Sequence, residues 1–254
     1  MRNGPSRSAD DVAIPVAVVI PAFEEAATIA AVATDVLRHC PSVIVVDDGS
    51  RDGTADQLTG LPVTLLRHER NQGKAASLWT GIEAALARGA SAVITMDGDG
   101  QHPADAIPRM LEAAADDERR LVMAARLHCR DRMPSARRFG NGMADFWISW
   151  AAGCRITDTQ SGFRLYPAAL LRRLTAVSYR QRRRGFVFES EVLIDAARAG
   201  FRPYQVPIDA IYERTSRASH YRPVADTLAI IAMVAGKLLA RGMYVQGLIR
   251  SLRR

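Results

Sequence analysis

Several features that define other protein classes are missing from this sequence. Its 254 residues contain three cysteines, none in a C-x-x-C spacing, and an odd number does not fit a closed disulfide framework. The opening stretch MRNGPSRSADD is polar and has no apolar centre of the kind found in signal peptides, so residues 1–12 are expected to form a disordered tail. Together these absences predict a cytoplasmic protein.

Hydrophobic runs long enough to cross a membrane are also absent. The uncharged run TLAIIAMVAG near the C-terminus is shorter than the roughly 20 residues that a spanning helix needs. Lys237 and Arg241 interrupt its continuation, and the segment ends in the basic stretch IRSLRR. The sequence therefore predicts a basic amphipathic helix, and any membrane association should be peripheral, at the cytoplasmic face of the inner membrane.

Acidic residues are the minority charge. The chain has 27 Asp and Glu against 34 Lys and Arg, which gives a formal net charge of +7. This balance predicts an anionic partner, and nucleic acid, a phosphorylated small molecule or an acidic membrane surface would each fit it. No recognised nucleic-acid-binding module accompanies the charge, so we do not expect a nucleic-acid partner.

The residues that are present predict an α/β fold with a sizeable core, since 48% of them are hydrophobic. In the first half, strand-like runs alternate with segments of helical period: VAIPVAVVI, EEAATIAAVATDVLRH, SVIVV, PVTLLRH, KAASLWTGIEAALARG and SAVITM. The less regular second half contains the strand-like RLVMAAR and RPYQVPIDAIY and the helical ESEVLIDAARAG. We predict a mostly parallel, Rossmann-like sheet with helices on both faces over residues 13–215, followed by a loop and the amphipathic helix over residues 216–254.

Polar stretches follow three of the predicted strands. They are PAFEE after the first strand, DDGSRDGT after the second and DGDGQHP after the fourth. Ligands of parallel α/β sheets bind beyond the carboxyl ends of the strands. We therefore expect these three stretches to meet in one crevice.

Two carboxylates in DGDGQHP, Asp97 and Asp99, carry the sharpest chemical signal. Aspartate and glycine also form ordinary turns, but a calcium-binding loop of the EF-hand type is excluded because Gln101 and Pro108 stand where it needs acids. At the end of a buried strand the pair favours Mg²⁺ or Mn²⁺ shared with a diphosphate leaving group, whose developing charge a dication neutralises. Gln101 would add a third oxygen ligand.

Three further residues have the chemistry of a nucleotide diphosphate site. The Asp48 carboxylate can accept a hydrogen bond from an imide N–H of a base, although Asp-Gly-Ser is also ordinary turn chemistry. Phe23 can stack on the base or pack in the core. Lys74, at the predicted start of a helix, suits a phosphate, although it can equally be a solvated lysine.

Six stretches of the chain occur in one order: VVIPAFEEAATI, VIVVDDGSRDGT, NQGKAASLWTGIEAA, VITMDGDGQHP, TDTQSGFRLY and GFVFESEVLIDAARAGFRPYQVPI. In this order and spacing, from Val16 to Tyr212, the chain resembles the family 2 glycosyltransferases, especially their dolichol-phosphate mannosyltransferase-like branch. The resemblance implies a GT-A fold, a UDP- or GDP-sugar donor, Mg²⁺ or Mn²⁺ on the paired aspartates, inversion at the anomeric carbon and a lipid-linked acceptor.

The resemblance also implies roles for single residues, position by position. The donor nucleotide would contact Pro21, Ala22, Phe23, Glu25, Asp48, Lys74, Asp97, Gly98 and Asp99. The metal would be bound by Asp97, Asp99 and Gln101, and the acceptor phosphate by Arg126, Arg138, Arg217 and His220. Two departures stand out: F-E-E replaces the usual Y-N-E of the first motif, which adds Glu24, and Ala75 replaces the usual glycine after Lys74.

Asp158, in TDTQSGFR, matches an acid near the acceptor in related enzymes and is the candidate catalytic residue. A hydroxyl acceptor would need it as a general base. A lipid phosphate would not, because its second pKa of about 6 leaves it anionic at neutral pH. Asp158 would then position a metal-bound water, an arginine or the acceptor. A structural ion pair with Arg164 is the alternative.

The sequence therefore predicts a metal-dependent, inverting glycosyltransferase whose favoured acceptor is polyprenyl phosphate. Phe146, Trp147 and Trp150 fit either the membrane interface or an ordinary core. The enzyme alternative has the same fold and donor with a hydroxyl acceptor, and the non-enzyme alternative is a degenerate transferase that binds nucleotide sugars. A nucleotidyltransferase is disfavoured, because PAFEEAA is not a glycine-rich basic loop.

Overall fold

The computed structural model describes residues 15–126, 135–174, 185–209 and 223–252. Its strands are β1 (Val16–Ala22), β2 (Val43–Asp47), β3 (Thr64–Arg67), β4 (Ala92–Thr95), β5 (Arg120–Ala125), β6 (Arg164–Pro167) and β7 (Arg202–Pro207). Its helices are α1 (Ile29–Leu37), α2 (Lys74–Ala87), α3 (Ile107–Ala115), α4 (Ser135–Ala152), α5 (Ala168–Arg173), α6 (Gly185–Arg198), α7 (Pro223–Leu239) and α8 (Val245–Leu252). The predicted tail at residues 1–12 lies outside the described residues.

The seven strands form one sheet in the order β3-β2-β1-β4-β6-β5-β7. β1 pairs in parallel with β2 and β4, β2 pairs in parallel with β3, and β5 pairs in parallel with β7. β6 runs antiparallel to both of its neighbours, β4 and β5. The prediction of a mostly parallel sheet with helices on both faces is confirmed, and the carboxyl ends of β1, β2 and β4 lie at one edge.

The apolar strand sequences follow from burial on both faces. Val18 and Ile20 of β1 pack in the core beneath α1 and α3, while Val19 packs in the core beneath α2, α4 and α6. Consecutive side chains of a strand point to opposite faces, so a strand covered twice needs apolar residues throughout. Gly81 lets α2 approach the sheet, because a Cβ there would lie 2.3 Å from Val19 Cγ1.

The C-terminal tail forms two helices, and the prediction of one amphipathic helix is corrected. α7 and α8 are separated by a turn in which Met243 and Tyr244 have positive φ. Both helices contact α4, and Trp150 of α4 donates a 3.0 Å hydrogen bond from Nε1 to the Met243 carbonyl. Within the described ranges no single helix is long and apolar enough to cross a membrane; α7 and α8 meet that test together, with a bend of 103° between them.

Candidate active site

The ends of β1 and β2 are joined by hydrogen bonds, as the sequence predicts for one crevice. Pro21 and Ala22 close β1, and the Ala22 carbonyl accepts a 2.8 Å hydrogen bond from the Asp48 amide. The Glu25 amide donates to Thr54 Oγ1 at 2.8 Å. Phe23 and Glu25 are half-buried in the turn after β1. These contacts bring the first two polar stretches together.

The extra acid of the first motif, Glu24, strengthens this junction. It adopts a positive φ of 58°, its amide donates to Ser50 Oγ at 2.8 Å, and its carboxylate accepts a 2.9 Å hydrogen bond from the Arg51 amide. A non-glycine residue in this left-handed conformation needs such compensating contacts. In this chain the Glu24 side chain therefore adds a contact between the first and second polar stretches.

Asp48 is buried and already accepts hydrogen bonds from the protein. Its Oδ1 lies 2.7 Å from His68 Nδ1 and accepts from the Gln72 amide at 2.9 Å, and its Oδ2 accepts from the Gly73 amide at 2.7 Å. Asp48 thus fixes the loop that leads into α2, which begins at Lys74. The contact of Asp48 with a nucleotide base stays a prediction.

Lys74 and Asp97 form the ion pair at the centre of the crevice. Lys74 Nζ lies 2.6 Å from Asp97 Oδ1 and 3.1 Å from Oε1 of Glu189, a residue of α6. Burial alone would lower the pKa of Lys74, but the charges of Asp97 and Glu189 outweigh it and raise the pKa above its ordinary value. For Asp97 the opposite holds: burial alone would raise the pKa of its carboxyl group, but Lys74 and His102 outweigh burial and lower it.

Gly162 provides the space in which these charges meet. A Cβ at Gly162 would lie 2.8 Å from Glu189 Oε1 and 3.0 Å from Asp97 Oδ2, so any side chain there would displace both carboxylates. The Gly162 carbonyl accepts a 2.8 Å hydrogen bond from Thr95 Oγ1 of β4. The segment before β6 is therefore held directly against the carboxylates that follow β4.

The remaining residues of DGDGQHP lie around the same point. Gly98 packs against the Pro21 carbonyl, and its own carbonyl accepts a 2.7 Å hydrogen bond from Thr28 Oγ1. Asp99 and Gln101 are half-buried, and the Gln101 amide donates to Asp99 Oδ1 at 3.0 Å. Buried His102 lies with Nε2 3.6 Å from Asp97 Oδ2.

The oxygen atoms available at the end of β4 are suitable ligands for a hard divalent cation. Burial and the charge of Asp97 raise the pKa of Asp99, which indicates a repulsion between carboxylates that a cation would relieve. The Asp99 carboxylate and the Gln101 amide add oxygen donors. In the part of the chain that the structure describes, however, no three His, Cys, Asp or Glu side chains converge closely enough to hold a metal ion.

Asp158 pairs with Arg126, and the alternative pairing with Arg164 is wrong. The Arg126 amide and Nε donate to Asp158 Oδ2 at 2.8 and 3.0 Å, and Nη2 donates to Oδ1 at 2.8 Å. Burial would raise the pKa of Asp158, but these bonds and the Arg126 charge lower it. Arg164 is fully buried elsewhere and donates to the carbonyls of Ser161, Glu189 and Thr159.

The other predicted acceptor residues are only partly described. Arg138 is exposed in the first turns of α4, whereas Arg217 and His220 lie outside the described residues. Trp147 and Trp150 stack with ring centroids 5.2 Å apart, and Phe146 packs on both. Phe146 and Trp147 are 39% and 36% exposed, so a purely core role for these two is wrong.

Sequence reasoning missed three residues of the crevice: His102, Gly162 and Glu189. Glu189 had a detectable signal, because GFVFESEVLI places acids inside an otherwise apolar helical stretch. A charged side chain on a buried face needs a partner. Gly162 carries no comparable signal, since its position depends on the pairing of β6 with β4.

Comparison with known proteins agrees with this architecture. The chain matches the family described as "Glycosyl transferase family 2" over residues 17–174. It is 29% identical over 221 residues to a UDP-N-acetylglucosamine–dolichyl-phosphate N-acetylglucosaminyltransferase of Methanococcus voltae, covering 79% of this chain and 87% of the relative. It is 30% identical over 179 residues to an undecaprenyl-phosphate mannosyltransferase of Micrococcus luteus, covering 65% and 70%.

Among solved structures, the fold is similar to glucosyl-3-phosphoglycerate synthase from Mycobacterium tuberculosis in complex with Mn²⁺, UDP and glucosyl-3-phosphoglycerate. The TM-score is 0.60 at 24% identity, over 89% of this chain and 79% of that one. The seven-stranded, mostly parallel sheet with helices on both faces is thus the GT-A fold predicted above. From the match over more than half of its length, the chain belongs to glycosyl transferase family 2 and is a glycosyltransferase.

Proposed function

We propose that the protein transfers a sugar from a UDP- or GDP-sugar to a polyprenyl phosphate, with Mg²⁺ or Mn²⁺ and with inversion at the anomeric carbon. The acceptor class is supported by relatives whose names specify dolichyl and undecaprenyl phosphates. The observation that carries the proposal is the bidentate pair of Arg126 and Asp158, in which both carboxylate oxygens of Asp158 already accept hydrogen bonds. Such a pair suits an acceptor that brings its own negative charge.

On the donor side, Phe23, Glu25 and Asp48 would surround the base and ribose at the ends of β1 and β2. Asp97, Asp99 and Gln101 would hold the cation, which supplies charge neutralisation to the diphosphate as it leaves. Lys74 begins α2, so a phosphate near it would meet both an ammonium group and the amides of a helix N-terminus. A protein that shares the fold was crystallised with UDP and Mn²⁺, which supports a nucleotide and a divalent cation as the ligands that we propose.

On the acceptor side, an anionic phosphate oxygen would attack the anomeric carbon from the face opposite the nucleotide. The new carbon–oxygen bond forms as the bond to the diphosphate breaks, and the nucleoside diphosphate leaves with the electron pair. One displacement inverts the configuration. Arg126, held in place by Asp158, would contact the phosphate, and the exposed Arg138 would add a second guanidinium.

Asp158 is thereby assigned as a positioning residue. Its two oxygens accept three hydrogen bonds from Arg126, and its pKa is lowered, so it is a weak base toward a neutral hydroxyl. A hydroxyl acceptor would require Asp158 to exchange Arg126 for the substrate. The anionic acceptor requires no such exchange, which is why we favour it.

We also propose that the protein binds peripherally to the cytoplasmic face of the membrane. Large apolar side chains are exposed on α4 and on α7 and α8, both of which contact α4: Phe139, Met143, Phe146 and Trp147 of α4, Leu228, Ile231 and Leu239 of α7, and Val245, Ile249 and Leu252 of α8. Contiguous exposed apolar patches mark interaction sites, and these side chains support one here. Arg241 and Arg250 lie on the same helical tail and suit anionic headgroups.

The proposed reaction is tested by incubating the protein with UDP- and GDP-sugars, with and without polyprenyl phosphate. Release of nucleoside diphosphate that depends on both polyprenyl phosphate and Mg²⁺ or Mn²⁺ is the expected result. The anomeric configuration of the product, measured by NMR, should be opposite to that of the donor. Efficient transfer to a neutral hydroxyl acceptor, with no use of polyprenyl phosphate, would overturn the acceptor assignment.

A further inference from the structure

Lys74 forms an ion pair with Asp97, the carboxylate that would bind the metal in the proposed function. Its ammonium lies 2.6 Å from Asp97 Oδ1, and the side chain is 20% exposed. A divalent cation on Asp97 would approach this ammonium closely, and like charges at such distances repel strongly outside bulk water. Metal and ammonium therefore compete for one carboxylate.

Glu189 gives Lys74 a second place to pair. Its Oε1 lies 3.1 Å from Lys74 Nζ, and its side chain is 5% exposed. A buried cation that loses its only partner is strongly destabilised. With Glu189 present, Lys74 can leave Asp97 and remain paired.

Lysine is rare in this chain, which makes its use beside Asp97 notable. Among 34 basic Lys and Arg residues, Lys74 and Lys237 are the lysines. Lys237 also bridges two carboxylates of α6, with Nζ 2.5 Å from Asp195 Oδ1 and 3.3 Å from Glu191 Oε1. Arginine holds a carboxylate through a rigid fork, whereas the lysine ammonium is a compact charge on a flexible stem. A lysine is therefore suited to a partner that must change.

We propose that Lys74 is an internal counter-cation that holds the place of the divalent metal on Asp97 until the nucleotide donor arrives, and that Glu189 keeps it paired after the exchange. The inference rests on the proposed metal-dependent function. It makes Glu189 a positioning residue of the donor site. It also predicts weak metal binding without nucleotide, because the diphosphate must help to draw Lys74 away from Asp97.

The first test measures Mn²⁺ binding without nucleotide, by the electron paramagnetic resonance signal of free Mn²⁺. Lys74→Met should bind Mn²⁺ at least about tenfold more tightly than the wild type, which corresponds to about 1.4 kcal/mol. Lys74→Arg keeps the charge and should bind no more tightly than the wild type, and Lys237→Met is the matched control outside the crevice. Equal affinity of Lys74→Met and the wild type would overturn the inference.

Because Lys74→Met leaves Glu189 buried without its cation, folding is controlled with the double variant Lys74→Met/Glu189→Gln, which removes both charges. It should keep the wild-type circular dichroism and bind Mn²⁺ more tightly than Glu189→Gln alone. The same titrations with UDP or GDP present separate the two claims. A wild type that binds no Mn²⁺ even with nucleotide overturns the metal-dependent function as well, whereas nucleotide-dependent binding that Lys74→Met leaves unchanged overturns only the counter-cation.

The second test observes the ammonium groups directly. Selective ¹⁵N labelling of lysine should give two side-chain signals, one for each lysine of the chain. Addition of Mg²⁺ with UDP or GDP should shift the Lys74 signal and leave the Lys237 signal in place. In Glu189→Gln the Lys74 signal should broaden on addition, because its second partner is neutral. A Lys74 signal that does not respond to Mg²⁺ and nucleotide would contradict the exchange.

Discussion

Asp97 and Asp158 each meet a basic side chain in the crevice, but the two ion pairs are built differently. Arg126 grips Asp158 with three hydrogen bonds, one of them from its own backbone amide. Lys74 meets Asp97 through a single ammonium, which it shares with Glu189. In the function that we propose, this difference separates a fixed ion pair that contacts the acceptor from an exchangeable ion pair that contacts the donor, where the metal and the diphosphate would enter.

The largest effect should come from breaking the exchangeable side. Asp97→Ala and Asp99→Ala should each weaken metal-dependent binding of UDP or GDP by more than about 100-fold, because a bridging dication contributes several kcal/mol to charge stabilisation. Both residues are half-exposed at a strand end, so the fold should remain intact. Calorimetry with nucleotide and Mn²⁺ measures the loss. Asp105→Ala, an exposed acid in the next turn, is the control; unchanged affinity in both site variants would remove the metal assignment.

The fixed side is tested by Arg126→Ala, which leaves Asp158 without its cation. Removing one partner of a buried pair costs about 3–5 kcal/mol. Since the two side chains are 17% and 10% exposed, we expect a loss of unfolding free energy of about 3 kcal/mol, at the lower end of that range. Urea denaturation measures it.

The matched control for this pair is Arg38→Ala, which breaks an ion pair with Asp35 on the surface of α1, where Arg38 is 69% exposed. A surface pair of this kind contributes about 0–1 kcal/mol. Similar losses in Arg126→Ala and Arg38→Ala would contradict the distinction between a buried frame and a surface contact.

A smaller effect is expected in the pH dependence of stability, which tests the ion pair of Asp158 with Arg126. Arg126 lowers the pKa of Asp158 in the folded protein despite its burial. A carboxyl with a lowered pKa stabilises the fold fully above its unfolded pKa of about 3.9, and this stabilisation is lost as the pH falls through the folded value. The stability difference between the wild type and Asp158→Asn should therefore stay constant between about pH 5 and pH 8 and shrink below about pH 4. A difference that does not shrink below about pH 4 would refute the lowered pKa.

The smallest effect is expected on membrane binding by the C-terminal helices, where the basic residues differ in their exposure and pairing. Lys237 is held by Glu191 and Asp195, whereas Arg241 and Arg250 are exposed. Each basic residue near an anionic membrane contributes about 1 kcal/mol. Arg241→Gln and Arg250→Gln should each reduce flotation with anionic liposomes at low salt, and Lys237→Gln should reduce it less. Binding that survives high salt and carbonate washing would argue for integral insertion.

The strands of the first half of the chain were predicted well from the sequence, because helices cover them on both faces. β1, β2 and β4 read as continuous apolar runs, and the polar stretches after them meet as expected. α1 begins later than predicted, at Ile29, because residues 24–28 are used to join the first and second motifs. Local periodicity carries no information about such contacts between distant segments.

The contacts around β6 were harder to predict, because the residues that meet there are brought together by strand pairing across the sheet. The four-residue strand β6 runs antiparallel between β4 and β5, and this pairing brings Gly162 beside Asp97. In the structural alternative the predicted partner of Asp158 was Arg164, because ion-pair networks also occur at such sites. Arg126 is more distant in the chain, yet it directly follows β5, the strand that lies beside β6.

In the proposed reaction, Asp158 holds Arg126 in place and an already charged phosphate is the nucleophile. The most direct measurement is the single-turnover rate of sugar transfer to polyprenyl phosphate as a function of pH, in the wild type and in Asp158→Asn. The same acidic limb is expected in both proteins, near the second pKa of the phosphate at about 6, with the variant affected mainly in acceptor binding. An acidic limb that disappears in Asp158→Asn, together with a chemical step slower by about 10²- to 10⁴-fold, would show instead that Asp158 is a general base.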